Sequence, residues 1–165
     1  MGAKKDPEGI KTIAQNRRAL RDFSVLETLE AGIELQGAEV KSLRDGAVDL
    51  KDGYARIDNG QAFLLNVRIS PYPQAGRDAP DPERKRRLLL HKREINRLYG
   101  QTQERGFTLI PLKVYFKKGK AKLALAVARG KKFEDRRETI KEREAQREMA
   151  RAVRRDHVGA KRFRR

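Results

Sequence analysis

The sequence predicts a mainly β protein: a small barrel with one to three short helices, followed by a basic C-terminal tail. Three observations predict it. From residue 23 to residue 128, short apolar runs alternate with turn signals such as Asp45-Gly46, Asp52-Gly53 and Asn59-Gly60. That is the rhythm of short strands. A single amphipathic helical stretch interrupts them before two strong strand patterns close the run. After Gly130 large apolar residues nearly vanish and charge dominates, so that segment has little with which to build a core.

Residues 1–12 are polar and predict a mobile terminal segment. The barrel is expected over residues 13–130. Asn16 can cap a short helix through Arg21, because its side chain accepts from a free amide of the first turn. Phe23, Val25 and Glu27 alternate with Ser24, Leu26 and Thr28, which predicts a strand covered on both faces. Ile33, Leu35 and Gly37 share one face of a further extended stretch. Residues 54–57 and 62–65 flank Asp58-Asn59-Gly60-Gln61 and read as a hairpin. Residues 70–87 carry Pro71, Pro73, Pro80 and Pro82 and form a long connection. Over residues 91–105, Ile95, Leu98 and Tyr99 make one apolar helical face, and Gly106 can stop the helix. Residues 107–116 and 120–128 then form a second hairpin through Lys117-Lys118-Gly119. Leu123, Leu125 and Val127 lie on one face of its last strand, with Lys122, Ala124, Ala126 and Ala128 on the other. An oligonucleotide-binding (OB) barrel has this size and character, although periodicity does not separate it from another small barrel.

Composition narrows the function. Lys and Arg number 40 against 23 Asp and Glu, a formal charge of +17. Such an excess repels itself, and a polyanion relieves it. Nucleic acid is the first candidate and an anionic membrane surface the second. No apolar run approaches the roughly 20 residues that span a bilayer, and the N-terminus lacks the apolar stretch of a signal peptide. A cytoplasmic protein with no membrane partner is expected. There is no cysteine, and His91 and His157 are the only histidines, which leaves no structural zinc set and implies no cofactor. Acidic residues at turns, among them Asp49, leave a metal-dependent nuclease as a rival, with turn chemistry the simpler explanation. A translation factor with no function in its tail is a second rival.

The tail is residues 131–165, and from Glu134 to Arg155 it is made mostly of helix formers with no proline. Arg143, Arg147, Arg151 and Arg155 are spaced four apart. Like charges at that spacing oppose an isolated helix by roughly 0.2–0.5 kcal/mol per pair. A row of phosphates removes the repulsion, so the tail is expected to be disordered alone and helical when bound. Within the barrel, Arg84-Lys85-Arg86-Arg87 and Lys117-Lys118-Gly119-Lys120 read as basic loop clusters suited to phosphate contact. Aromatic residues are 6% of the chain and Trp is absent. Phe63, Phe107, Tyr115 and Phe116 are the candidates for a stacking platform, and core positions are expected for most of them. This favours recognition of a folded RNA by shape and phosphates.

Several segments together resemble the SsrA-binding protein (SmpB) family. They are Ile13-Ala-Gln-Asn16-Arg-Arg-Ala19, Leu29-Glu30-Ala-Gly32-Ile-Glu-Leu35-Gln-Gly37, Glu39-Val-Lys41-Ser-Leu-Arg44-Asp-Gly46, Arg87-Leu-Leu-Leu90, Glu94-Ile95, Leu98-Tyr-Gly100, Ala128-Arg-Gly130-Lys-Lys132 and Ile140-Lys-Glu-Arg-Glu144. The resemblance implies an OB-like barrel and an adaptor, not an enzyme. It implies binding of the tRNA-like domain of transfer-messenger RNA and delivery to stalled ribosomes in trans-translation. Elongation factor Tu joins indirectly through the RNA, and the protein acts as a monomer. By matching positions, RNA contact is implied for Asn16, Glu30, Lys41, Arg44, Leu89, Lys122, Arg129, Lys131 and Lys132. The tail is implied to lie in the empty mRNA channel by the small-subunit decoding centre, through Phe133, Glu134, Arg136, Arg137, Lys141, Arg143, Arg147 and Arg151. Glu134 stands where some members carry His or Tyr, and Ala145 where some carry Trp.

Overall fold

The computed structural model describes residues 9–104, 106–131 and 140–151. Contacts divide the chain into two units, residues 1–130 and 131–165. The first contains β1 (Ile10–Gln15), α1 (Arg17–Asp22), β2 (Phe23–Ile33), α2 (Gly37–Arg44), β3 (Val48–Asp49), β4 (Tyr54–Asp58), β5 (Gln61–Leu65), β6 (Arg68–Ile69), a 3-10 segment (Pro73–Asp78), β7 (Arg86–Leu89), α3 (Lys92–Gln103), β8 (Phe107–Lys117) and β9 (Lys120–Gly130).

Every strand pairing is antiparallel, and the order β8-β4-β5-β7-β2-β9 returns to β8. The sheet is therefore a closed barrel, as the alternation of strand and turn predicts. Closure removes the free edges that would otherwise invite pairing with another chain. β1 pairs with the second half of β8, and β3 pairs with β6 as a separate two-stranded patch. Both long hairpins turn on two residues with positive φ, Asn59-Gly60 (48° and 71°) and Lys118-Gly119 (50° and 75°). That is the twist-matched turn for antiparallel strands.

The core gathers Ala31, Leu43, Leu64, Leu88, Leu98, Leu109, Leu123, Leu125 and Val127 among others. On the outer side of β9, Lys122 is followed by Ala124, Ala126 and Ala128. Ala128 packs with Ala19 of α1 and Ile110 in a second, smaller cluster. Small side chains let the helix approach, which is why β9 is buried on both faces from Leu123 to Ala128.

Three expectations need correcting. The first half of β2 is not covered on both faces: Val25 and Leu26 are exposed, and the register slips between Val25 and Glu27. Such a bulge turns side chains out of the regular alternation. The extended stretch expected after Ile33 gives way to helix α2. β1 begins at Ile10, inside the segment expected to be mobile, with Ile10 opposite Lys117 and Thr12 opposite Tyr115. It pairs on one side only, so it needs few apolar residues.

In the second unit, residues 140–151 are helical. Ile140 and Met149 are both exposed there, consistent with a helix lacking an apolar stripe. The tail candidates Lys132, Phe133, Glu134, Arg136 and Arg137 lie outside the described residues. Among the described residues, no helix is long and apolar enough to cross a membrane.

Candidate nucleic-acid interface

Four strands bring their residues into one line across the barrel. Tyr115 of β8 pairs with Lys122 of β9, Lys122 pairs with Gly32 of β2, and Gly32 pairs with Leu89 of β7. Paired residues point to the same face of a sheet. Glu30 lies two residues from Gly32 and so shares that face. The ladder thus unites Glu30, Leu89 and Lys122, which are far apart in the chain. All three line a cleft of about 560 Å³ together with Gly32, Gln61, Arg87 and Glu94.

The row depends on its glycine. A Cβ at position 32 would lie 3.0 Å from Leu89 Cβ and 3.4 Å from its Cδ1. Leu89 therefore lies across the gap that Gly32 leaves, and half of it remains exposed (50%). Core packing, the ordinary expectation for a leucine, does not apply. A second cleft of about 310 Å³, which shares Gly32, Leu89 and Lys122 with the first, is also lined by Val40, Phe116, Gly119 and Lys120. Leu89 lines both clefts, with Lys122 common to them, Arg87 in the first and Lys120 in the second.

Glu30 is held from behind. The Tyr115 hydroxyl donates to Glu30 Oε2 at 2.6 Å, and Lys117 Nζ donates to the same oxygen at 3.2 Å. Lys122 Nζ lies 3.8 Å from Oε1. The Tyr115 hydrogen bond, which outweighs the opposing effect of burial, and the two lysines hold the Glu30 carboxyl below its ordinary value. Burial and the Glu30 carboxylate push the Tyr115 phenol well above its own. At neutral pH the pair is a carboxylate accepting from a neutral phenol.

α2 flanks this face. Its exposed Arg44 lies 6.0 Å from the Phe116 ring, and its exposed Lys41 lies 5.3 Å from the Tyr72 ring. The helix is fixed from beneath by Glu39, which is 3% exposed. One Glu39 oxygen accepts from Arg86 Nε at 2.8 Å and Arg84 Nε at 3.0 Å. The other accepts from Arg84 and from the backbone N–H of Gln36. Arg86 is 1% exposed and also donates to the carbonyls of Val67, Arg84 and Pro82. The run Arg84-Lys85-Arg86-Arg87, expected as a basic loop cluster, is thus divided. Arg84 and Arg86 are structural, Arg87 lines the cleft, and Lys85 lies 4.2 Å from the Phe63 ring.

Other candidates fall elsewhere. Asn16 is buried, and its amide nitrogen donates to the carbonyls of Leu50 (2.9 Å) and Pro111 (3.2 Å). Its oxygen caps α1 by accepting from the Ala19 N–H at 3.0 Å. Both amide hydrogens are used inside the fold, and the residue ties α1 to the barrel. Arg129 lies seven residues along β9 from Lys122, about 23 Å at the usual strand rise, with its guanidinium 5.8 Å from the Phe107 ring. It is on the opposite face and belongs to no common patch with Glu30. Lys131 begins the second unit. Lys141, Arg143, Arg147 and Arg151 lie on the helix of residues 140–151, where the three arginines share one side.

The aromatic reading also shifts. Tyr115 and Phe116 are buried, as expected, while among the described residues Tyr54 and Tyr99 are exposed. Both line a separate cleft of about 370 Å³ with Phe107 and Arg56. No signal in the sequence marked them, since Tyr99 reads as part of an apolar helix face. Among the described residues, no three His, Asp or Glu side chains converge in a way that could hold a metal ion.

Residues 13–155 match the model of the SmpB protein family. The chain belongs to that family. The SsrA-binding protein of Desulforudis audaxviator is 55% identical over 150 residues, covering 91% of this chain and 97% of that protein. That of Geobacillus kaustophilus is 56% identical over 144 residues, covering 87% and 93%. That of Trichodesmium erythraeum is 54% identical over 152 residues, covering 92% and 97%. A chain of the solved structure described as "tmRNA-SmpB: a journey to the center of the bacterial ribosome" superposes with a TM-score of 0.63 at 51% identity, over 73% of this chain and 85% of that one.

Proposed function

We propose that this chain is an RNA-binding adaptor of trans-translation. It binds the tRNA-like domain of transfer-messenger RNA and delivers it to stalled ribosomes, so that the nascent peptide is tagged and the ribosome is released. One observation carries the reading: Glu30, a half-exposed Leu89 and Lys122 meet on one face of the barrel, with Arg87 and Lys120 beside them. Each has a distinct use toward folded RNA. Lys122 and Lys120 neutralise phosphates, Leu89 lies against a sugar or base, and Glu30 accepts from a base amino group. The family membership and the SsrA-binding names of the relatives support the same partner.

Lys41 and Arg44 extend this face from α2. Arg129, Lys131 and Lys132 mark the exit from the barrel toward the tail. The tail then lies in the empty mRNA channel of the small subunit, with Phe133, Glu134, Arg136, Arg137, Lys141, Arg143, Arg147 and Arg151 as its contacts to ribosomal RNA. Elongation factor Tu takes part through the RNA alone. The protein works as a cytoplasmic monomer, and no catalytic step or cofactor is assigned to it.

Titration of the isolated tRNA-like domain with the full chain tests the interface. Affinity is expected to fall steeply with salt. Lys122→Ala is expected to weaken binding and to reduce the slope of log K against log salt by about 1, the loss of one phosphate contact. Gly32→Val displaces Leu89 without removing any charge. It is expected to weaken binding while leaving that slope unchanged. If both variants bind as tightly as the unaltered protein, the RNA does not use this face.

A further inference from the structure

Glu30 presents its two oxygens unequally. Oε2 already accepts two hydrogen bonds, from the Tyr115 hydroxyl at 2.6 Å and Lys117 Nζ at 3.2 Å. Among the described residues, the cation recorded against Oε1 is Lys122 Nζ, at 3.8 Å, beyond hydrogen-bond reach. Glu30 lines the 560 Å³ cleft, whereas neither Tyr115 nor Lys117 does. Both grip the carboxylate from outside it. Tyr115 is 5% exposed, and Lys113 Nζ lies 5.2 Å from its ring. Lys117 is more exposed, with a side chain at 37%, and its long stem fixes direction poorly. A buried ring has few rotamers left, so the phenol sets the orientation of the carboxylate.

We propose that Tyr115 is a positioning residue which fixes Glu30 so that a single oxygen, Oε1, is offered to one base amino group of the bound RNA. This rests on the assignment of the Glu30 face to RNA, and it gives that face its selectivity. A freely rotating carboxylate offers both oxygens and can follow several donors. A pinned one accepts from an exocyclic amino group at one position and rejects a carbonyl there, because two acceptors meet without a proton between them. The lysines around it bind phosphates whatever the sequence. Tyr115 acts through Glu30 and does not touch the RNA.

The test is a double-mutant cycle on the full chain with Tyr115→Phe, Glu30→Gln and the pair, read as affinity for the isolated tRNA-like domain. Tyr115→Phe removes one buried hydroxyl and keeps the ring in place. It is expected to weaken binding about tenfold, the order of one charge-assisted hydrogen bond, with no change in the salt slope. In the Glu30→Gln background the same substitution is expected to change affinity little, because the group it orients has changed. A merely structural loss would weaken binding equally in both backgrounds and lower the melting temperature in step. Equal losses overturn the proposal. So does tight binding by Tyr115→Phe when Glu30→Gln binds weakly, an outcome that leaves the Glu30 face standing. If Glu30→Gln also binds as the unaltered protein does, both the proposal and the assignment of Glu30 to RNA fall.

Discussion

Glu39→Gln is expected to destabilise the barrel by about 3–5 kcal/mol, the cost of removing one partner from a buried ion pair. The glutamine nearly matches the shape of the glutamate but leaves Arg86, which is 1% exposed, with a positive charge and no counter-charge. It also releases Arg84 and the first turn of α2, both of which the carboxylate holds. Urea unfolding measures the loss directly. The pH dependence identifies its origin. Burial alone would raise the Glu39 pKa, but the bonds from Arg84, Gln36 and Arg86 outweigh it and keep the carboxyl below the ordinary 4.5. A depressed carboxyl contributes stability that is full above its unfolded value and is lost as pH falls through its folded value. The gap between the two proteins should therefore be full at neutral pH and shrink only once the pH drops below about 4.5. A gap that stays constant on acidification would mean that shape, not charge, is what Glu39 supplies.

Truncation before Glu134 is expected to separate the two activities. The barrel keeps Glu30, Leu89 and Lys122, so binding to the tRNA-like domain should persist, with a shallower salt dependence because many cations are gone. Tagging of stalled peptides should be abolished, since nothing then occupies the channel. The arginine row gives the physical reason. Arg143, Arg147 and Arg151 lie along one side of the helix of residues 140–151, where they repel one another until phosphates intervene. At 12 residues such a helix is marginal by itself in water. A reconstituted translation system programmed with a message lacking a stop codon reads the outcome. Full tagging by the truncated chain would make the tail dispensable and favour an ordinary RNA-binding translation factor.

Local rules made much of the barrel legible. Asn59-Gly60 required positive φ and marked its hairpin, and Ile95, Leu98 and Tyr99 marked α3. α2 was missed because Ile33, Leu35 and Gly37 mimic strand alternation, and a glycine opens the helix. The signal present was Gln36 followed three residues later by Glu39, a capping-box spacing. Arg86 was misread because its partner is 47 residues away, and no local pattern distinguishes a buried arginine from a solvated one. The interface was legible as residues but not as a surface. Leu89 reads as core until the pairing with Gly32 turns it outward, and Tyr115 reads as core until its hydroxyl is found on Glu30. Those facts live in the register of four strands, which composition and periodicity do not fix.

The central claim is that this chain selects transfer-messenger RNA from other RNAs, and capture from a bacterial lysate followed by RNA sequencing tests it most directly. The full chain should enrich transfer-messenger RNA above transfer RNAs and free ribosomal RNA at physiological salt, and Glu30→Gln should lose much of that enrichment. Recovery of RNAs in proportion to their abundance would contradict the claim and reduce the +17 charge to non-specific attraction.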